Sequence, residues 1–358
     1  MPDLHPRGLQ PDAVAACLSR GLGAPVAVRA LRQTFPGASR ETWLVDAEVS
    51  GRPEGLVVRV DCPGGPGVPQ DMKHEWQVYE RLWKSEIPVA EPLWYADGIE
   101  FAEGRPHMVR RLVDGSTHIA GLTDQTDDGK RLRRAVVFEH VEKLAALHRM
   151  DWQARGFGDF IDAPATPAQS LRTEFDIWKK LWIAGRSEPF PLITEVLYWL
   201  EENLPTDTPM ISLVKGNNGV GEEIWRDRKI VAMSDWELAS LGDGALDLAF
   251  SQGTLALDNF GDAIRHYEQC VGHEVSPHRL AFCMFWIMFK ALCCLNVYML
   301  GGWLRGNPRL NRPAFGLVSV KSYERRLAGC LGKDLVDAWR EIAGDQVSTY
   351  ARFGESKK

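Results

Sequence analysis

The sequence has no excess of positive charge, no paired cysteines and almost no long apolar run. The formal net charge is −6 over 358 residues, which removes the general attraction to polyanions that nucleic-acid-binding chains show. Seven cysteines are scattered without the paired spacing of zinc sites. Cys293 and Cys294 sit side by side in an apolar stretch, as buried reduced thiols of a cytoplasmic protein do. Met1 to Gln10 carries Asp, His, Arg and Pro and has no apolar centre, so it does not read as a signal peptide. The one membrane-like segment, Leu280 to Leu304, contains Lys290 and Asn296 and ends near Gly301-Gly302; it reads as a buried helix and not as a bilayer span. No internal repeat or low-complexity segment is present. What remains is an ordinary globular composition, 45% hydrophobic and 25% charged, in a chain long enough for two lobes with a sizeable core.

The first third alternates short β patterns with two helices. Asp12 to Leu22 predicts a helix, and Val26 to Leu31, Glu41 to Val49 and Leu56 to Val60 predict strands, with a turn from Phe35 to Arg40. Cys62 to Pro69 is a Pro- and Gly-rich connector. Asp71 to Trp83 is an amphipathic helix with Glu75 early in it. Val89 to Tyr95 and Met108 to Leu112 predict two more strands. The remainder is mostly helical, with patterns over Leu132 to Met150, Leu171 to Ile183, Phe190 to Leu204, Asp258 to Glu268, Pro277 to Leu304, Leu317 to Leu331 and Asp334 to Tyr350, and a polar loop from Thr123 to Lys130. Of the thirteen tryptophans, several fall in these helices, at Trp178, Trp182, Trp199, Trp286 and Trp303. Aromatics at helical spacing are usually core, and some of them could line an apolar cleft.

One stretch breaks the helical pattern. Ile211, Leu213 and Val214 form a short strand that stops at Lys215-Gly216. A polar loop, Asn217-Asn218-Gly219-Val220-Gly221, follows. Ile224 and Trp225 lead to a turn at Arg226-Asp227-Arg228, and Ile230, Val231 and Met233 deliver Ser234-Asp235-Trp236-Glu237. Two loops carried on one hairpin bring polar groups together at strand ends, a good place for a site.

The run Asp235-Trp236-Glu237-Leu238-Ala239-Ser240-Leu241-Gly242-Asp243, with Asp247-Leu248-Ala249 after it, resembles the aminoglycoside phosphotransferase and choline kinase-like family. It looks most like the kinase-like domains fused to some acyl-CoA dehydrogenases. The likeness extends upstream to Glu75 and downstream through the helix from Phe285 to Arg305. It implies an α+β, protein kinase-like bilobal fold, with a β-rich N-lobe over residues 1–112 and a helical C-lobe over 113–358. It also implies ATP and Mg2+ as cofactors and a small-molecule hydroxyl as acceptor; an apolar, aromatic or acyl-CoA substrate comes from the subfamily and the tryptophans.

The resemblance assigns roles residue by residue. Arg59 stands where kinases place the lysine that meets the phosphates, and Glu75 is its helix partner. Backbone groups near Arg110, Arg111 and Leu112 would meet an adenine ring. The family's first loop reads His-Gly-Asp with an Asn five places after the Asp; here those slots hold Lys215, Asn217 and Glu222. Asp235 keeps the place of the second metal-binding Asp, and Glu222 can still offer oxygen to a hard cation. Asp247 is expected to brace the first loop by accepting backbone hydrogen bonds. An Asn is neutral and cannot act as a general base near pH 7. Three readings therefore stay open: a phosphotransferase with an altered loop, a pseudokinase-like binding or regulatory protein, and a scaffold on which Lys215, Glu222 and Glu223 run other acid-base chemistry.

Overall fold

The computed structural model describes residues 9–34, 39–97, 104–307 and 309–344. Most of the turn expected at Phe35 to Arg40, the ends of the chain and the last part of the helix expected at Asp334 to Tyr350 lie outside the described residues.

Five antiparallel strands form the first lobe in the order β1-β2-β3-β5-β4. They are Val26–Gln33 (β1), Arg40–Val49 (β2), Arg52–Asp61 (β3), Pro92–Ala96 (β4) and His107–Arg111 (β5). Two helices flank them, Pro11–Leu22 (α1) and Met72–Leu82 (α2). Because side chains alternate across a strand, β3 has two faces of different chemistry. Leu56, Val58 and Val60 join Trp43, Val45, Val109 and the α1 residues Val14, Cys17 and Leu18 in a small core. Val57, Arg59 and Asp61 point the other way. Register places Thr42 beside Arg59 and Arg40 beside Asp61, so two arginines share the face that meets α2. Asp71 caps α2 by accepting from the His74 amide at 2.8 Å, and Glu75 and Tyr79, one turn apart, face that sheet surface from inside the fold.

The larger lobe is helical: Asp127–Arg149 (α3), Ser170–Gly185 (α4), Pro191–Glu202 (α5), Ala245–Phe250 (α6), Gln252–Leu255 (α7), Phe260–Val271 (α8) and Pro277–Cys293 (α9). A π-helical segment, Cys294–Leu300, carries α9 into Gly301–Leu304 (α10). Asn311–Ala314 (α11), a second π-segment Phe315–Ser319, Val320–Ala328 (α12) and Leu335–Ala343 (α13) follow. The helix α3 begins at Asp127, ahead of the apolar periodicity that starts at Leu132. Thr126 caps it through the Gly129 amide and Asp127 and Asp128 fill its first turn, so part of the loop expected at Thr123 to Lys130 is helix. The span Pro277–Leu304 is long and apolar enough to cross a membrane, but most of it is buried in this lobe. Trp178, Trp182, Trp199 and Trp286 are core.

Four short strands carry the irregular stretch: Ser212–Val214 (β6), Glu223–Arg226 (β7), Lys229–Met233 (β8) and Ser240–Gly242 (β9). β6 pairs with β9 and β7 with β8. Asp227 and Arg228 both have positive φ, the conformation of a type I′ turn, which matches the twist of a tight hairpin.

Candidate active site

The loop after β6 is fixed from below. The carboxylate of Asp247, fully buried on α6, accepts from the amides of Lys215 at 2.7 Å and Gly216 at 2.8 Å and from the side chain of Asn218 at 2.5 Å. His148 at the end of α3 bonds Asp247 at 3.0 Å and the Tyr267 hydroxyl at 2.7 Å. Burial alone would raise the Asp247 pKa; His148 and the loop amides outweigh it and hold the carboxyl below its usual range. Gly216 has φ +83°, and a Cβ there would stand 2.4 Å from the Leu238 carbonyl oxygen, so only glycine fits.

From this base the loop presents Lys215, Asn217 and Glu222 to Asp235, which follows β8. The Asn217 amide nitrogen donates to Asp235 Oδ2. The Lys215 ammonium, fully buried, donates to the carbonyl oxygens of Asn217 and Asp235 and lies 5.5 Å from the Trp236 ring centre. Burial lowers its pKa, with Asp235 and Glu222 opposing. Asp235 adopts a left-handed backbone, φ 64°, which non-glycine residues adopt at a cost and which aims its carboxylate into the cleft.

Across the cleft, Arg59 meets this loop directly. Its guanidinium donates to Glu75 at 2.9 Å, to Asp235 Oδ1 at 2.8 Å and to Glu237 at 2.7 Å. Arg40, fully buried behind it, bonds Asp61 at 2.8 Å, Glu237 at 2.7 Å and the Gln70 carbonyl at 2.7 Å, and approaches Glu75 at 3.4 Å. Burial disfavours both charged arginines, and the surrounding carboxylates more than compensate, so both pKa values rise. Asp235 follows the same logic: burial opposes its charge, Arg59 and Lys215 favour it, and its pKa falls. Glu237 goes the other way; burial and neighbouring Asp235 push it up to about 7. The half-buried Glu222 carboxylate makes no hydrogen bond among the described residues, and burial followed by Asp235 raises its pKa.

The structure thus brings Arg59, Glu75, Lys215, Asn217, Glu222 and Asp235 into one cluster and shows a network wider than the sequence reveals. Arg40 and Glu237 were not foreseen, because their partners lie up to 198 residues away in the chain. The only signal is an arginine at the start of a strand and a glutamate two places after Asp235.

Three expectations need correction: the main-chain donors of Arg111 and Leu112, and the convergence of Glu223. The Arg111 side chain is bound by Glu91 at 2.8 Å and by Glu54. Its amide donates to Glu91 O, and the Leu112 amide donates to Gly55 O. The main-chain donors of Arg111 and Leu112 are therefore taken at the end of β5, which lies between β3 and β4, and an adenine ring cannot use those two amides. Arg110 faces the Arg59 side of the sheet, but its guanidinium covers the Tyr79 ring and donates to the Tyr79 hydroxyl; burial and then Arg59 lower its pKa to about 10. Glu223 does not converge with Lys215 and Glu222: its carboxylate is buried against His140, whose other nitrogen meets Ser251 at 2.7 Å.

Among the described residues no three His, Cys, Asp or Glu side chains form a ready metal site. Magnesium, however, is commonly held by one or two carboxylates, water and substrate phosphates. The uncommitted carboxylate of Glu222 beside Asp235 fits that donor set.

A small sheet lobe whose buried cation pairs with a helix glutamate and faces a hairpin-borne loop is a kinase-like phosphotransferase fold. The profile of the phosphotransferase enzyme family matches residues 32–275, more than half of the chain, and the chain belongs to that family. A solved structure of a putative aminoglycoside phosphotransferase from Ralstonia eutropha superposes with a TM-score of 0.63 at 20% identity, over 90% of this chain and 98% of that one. The aminoglycoside phosphotransferase APH(4)-Ia in ternary complex with ADP and hygromycin B gives 0.59 at 18% identity, over 90% and 100%. Among curated proteins, acyl-CoA dehydrogenase family member 11 of Gallus gallus is 24% identical over 76% of this chain and 37% of its own length. The Homo sapiens protein of the same name is 26% identical over 52% and 24%. The chain therefore spans little more than a third, or less, of the curated relatives it matches.

Proposed function

We propose that this protein binds a nucleoside triphosphate between its lobes and transfers the terminal phosphoryl group to a hydroxyl of a small molecule. The observation that carries this reading is the simultaneous contact of Arg59 with Glu75 and Asp235, which holds a phosphate-seeking cation at the meeting point of both lobes. The solved relative with bound ADP supports the same cleft as a nucleotide site.

Arg59 orients the phosphates, and Asn217 orients the acceptor. With its amide nitrogen committed to Asp235, Asn217 offers Oδ1 to the acceptor hydroxyl without taking its proton. The hydroxyl oxygen forms a bond to the terminal phosphorus as the bond to the bridging oxygen breaks. The nucleoside diphosphate leaves with that electron pair, and the hydroxyl proton passes to a non-bridging oxygen of the transferred group. A metal held by Asp235 and Glu222 would supply neutralising charge to the phosphates. Phosphoryl transfer depends mainly on position and charge, so loss of the usual proton acceptor costs roughly 10²–10⁴ in rate and not the whole reaction. The exposed Trp303, Leu304, Leu310 and Phe315, on the segment that also carries Arg312 to the cleft wall, support an apolar, aromatic or acyl-chain acceptor.

The test is a coupled assay of ADP release with ATP, Mg2+ and a panel of aromatic and acyl-chain alcohols. Acceptor-dependent turnover that disappears in Asp235→Ala is expected. A second reading, nucleotide binding without turnover, is favoured by one feature: an amide stands at the proton-accepting position and bonds Asp235. Saturable nucleotide binding with no turnover for any acceptor would select it.

A further inference from the structure

Arg312 on α11 is among the largest fully buried side chains of the described residues, and it meets no carboxylate among them. Its guanidinium donates to two main-chain carbonyl oxygens of the other lobe, Gly65 at 3.0 Å and Ser39 at 2.9 Å. Burial lowers its pKa, with the neighbouring Cys62 thiol opposing. A charge held in the interior by neutral groups is costly, and apolar residues could fill the space at less cost. What it holds is specific. The Ser39 carbonyl also accepts from the Gly67 amide at 3.1 Å, while the Ser39 hydroxyl donates to Glu237 at 2.8 Å. The next residue, Arg40, bonds the same Glu237 oxygen, which Arg59 shares. Beside it, Asn307 donates to the Pro63 carbonyl at 2.6 Å, and the same loop comes so close that a Cβ on Gly64 would meet the Gly302 carbonyl oxygen at 2.8 Å.

We infer that Arg312 is a positioning residue for the phosphate end of the cleft: it fixes Ser39, and through Ser39 and Glu237 it sets the orientation of Arg59. The Pro- and Gly-rich connector from Cys62 to Pro69 is the seat that Arg312 and Asn307 grip. The consequence for nucleotide affinity rests on the function proposed above; the grip itself does not.

Two measurements on the full chain separate these. The first is calorimetric titration of ADP into wild type, Arg312→Met, Arg312→Lys and Asn307→Ala. Arg312→Met should weaken ADP about tenfold or more, Arg312→Lys should recover most of that loss, and Asn307→Ala should stay within about twofold, although Asn307→Ala and Arg312→Met both lose inter-lobe hydrogen bonds and melting temperature. Equal ADP affinity in wild type and Arg312→Met, or losses that simply track melting temperature across the variants, would overturn the positioning role. The second is amide hydrogen exchange without ligand. Peptides covering Ser39 to Trp43 and Gly64 to Gln70 should exchange faster in Arg312→Met while those of α3 and α9 stay protected; unchanged exchange in both peptides refutes the grip, and a uniform rise throughout the chain would reduce Arg312 to a general stabiliser. If wild type binds no ADP, the nucleotide reading fails and the exchange experiment still decides the role of Arg312. Arg312→Lys serves as the folded reference should Arg312→Met fail to fold.

Discussion

The two walls of the cleft differ in how much of the family's pattern they keep. On the sheet side, a cation on β3 meets a glutamate on α2, with Arg for Lys as the single change. On the loop side, three slots differ at once: Lys215, Asn217 and Glu222 stand where the resembling family has His, Asp and Asn. Yet the frame under that loop is unaltered in design, with Asp247 accepting from two loop amides and Gly216 in the only conformation that fits. On the function proposed above, the difference separates holding a nucleotide from handling the acceptor's proton. The mounting of the loop on Asp247 persists, and on the proposed function it is the proton chemistry of that loop that differs.

The largest effect should come from the frame. Asp247→Ala removes a buried carboxylate from two amides, Asn218 and His148, and should cost about 3–5 kcal/mol of stability, read as a lowered urea midpoint. A variant with wild-type stability would mean the loop does not depend on its brace. Next comes the loop chemistry: if Asn217 is what limits turnover, Asn217→Asp should raise the rate with ATP and Mg2+ by roughly 10²–10⁴, and Asn217→Asp with Glu222→Asn should do at least as well. No gain in either would show that the loop is no decayed copy of the usual one. On the sheet wall, Glu75→Gln loosens Arg59 and should weaken nucleotide about tenfold, in line with about 1.5–3 kcal/mol for a charged hydrogen bond, with little change in the maximal rate. The smallest effect is expected at Arg111: its partners Glu54 and Glu91 are partly exposed, so Arg111→Ala should shift stability by less than about 1 kcal/mol and leave nucleotide affinity unchanged. A large loss of affinity there would restore Arg111 to the nucleotide site.

Much of the architecture was legible because it follows periodicity. The alternation in β3 separates Val58 from Arg59, and the helical spacing around Glu75 puts it on the face that meets the sheet. The position of Asp235 at the end of a hairpin and the bracing by Asp247 were also readable, through likeness of motif. What was hidden depends on contacts distant in sequence. Nothing near Arg40 announces that it will be buried among Asp61, Glu75 and Glu237, and nothing near Glu223 says that His140, 83 residues earlier, will claim its carboxylate. Arg111 and Leu112 looked available because main-chain pairing leaves no mark on side-chain identity; sheet register alone shows their amides taken. The early start of α3 was missed because its first turn is polar and its cap, Thr126, precedes the apolar repeat.

The most direct test of the cleft as a nucleotide site is equilibrium titration of ATP and ADP into the purified chain, with Arg59→Met as the paired variant. Saturable one-to-one binding in wild type and its loss by about a hundredfold in Arg59→Met, with the variant still folded, is the expected result. No binding of either nucleotide at millimolar concentration, or equal binding by both proteins, would show that the Arg59, Glu75 and Asp235 cluster serves something other than a nucleotide.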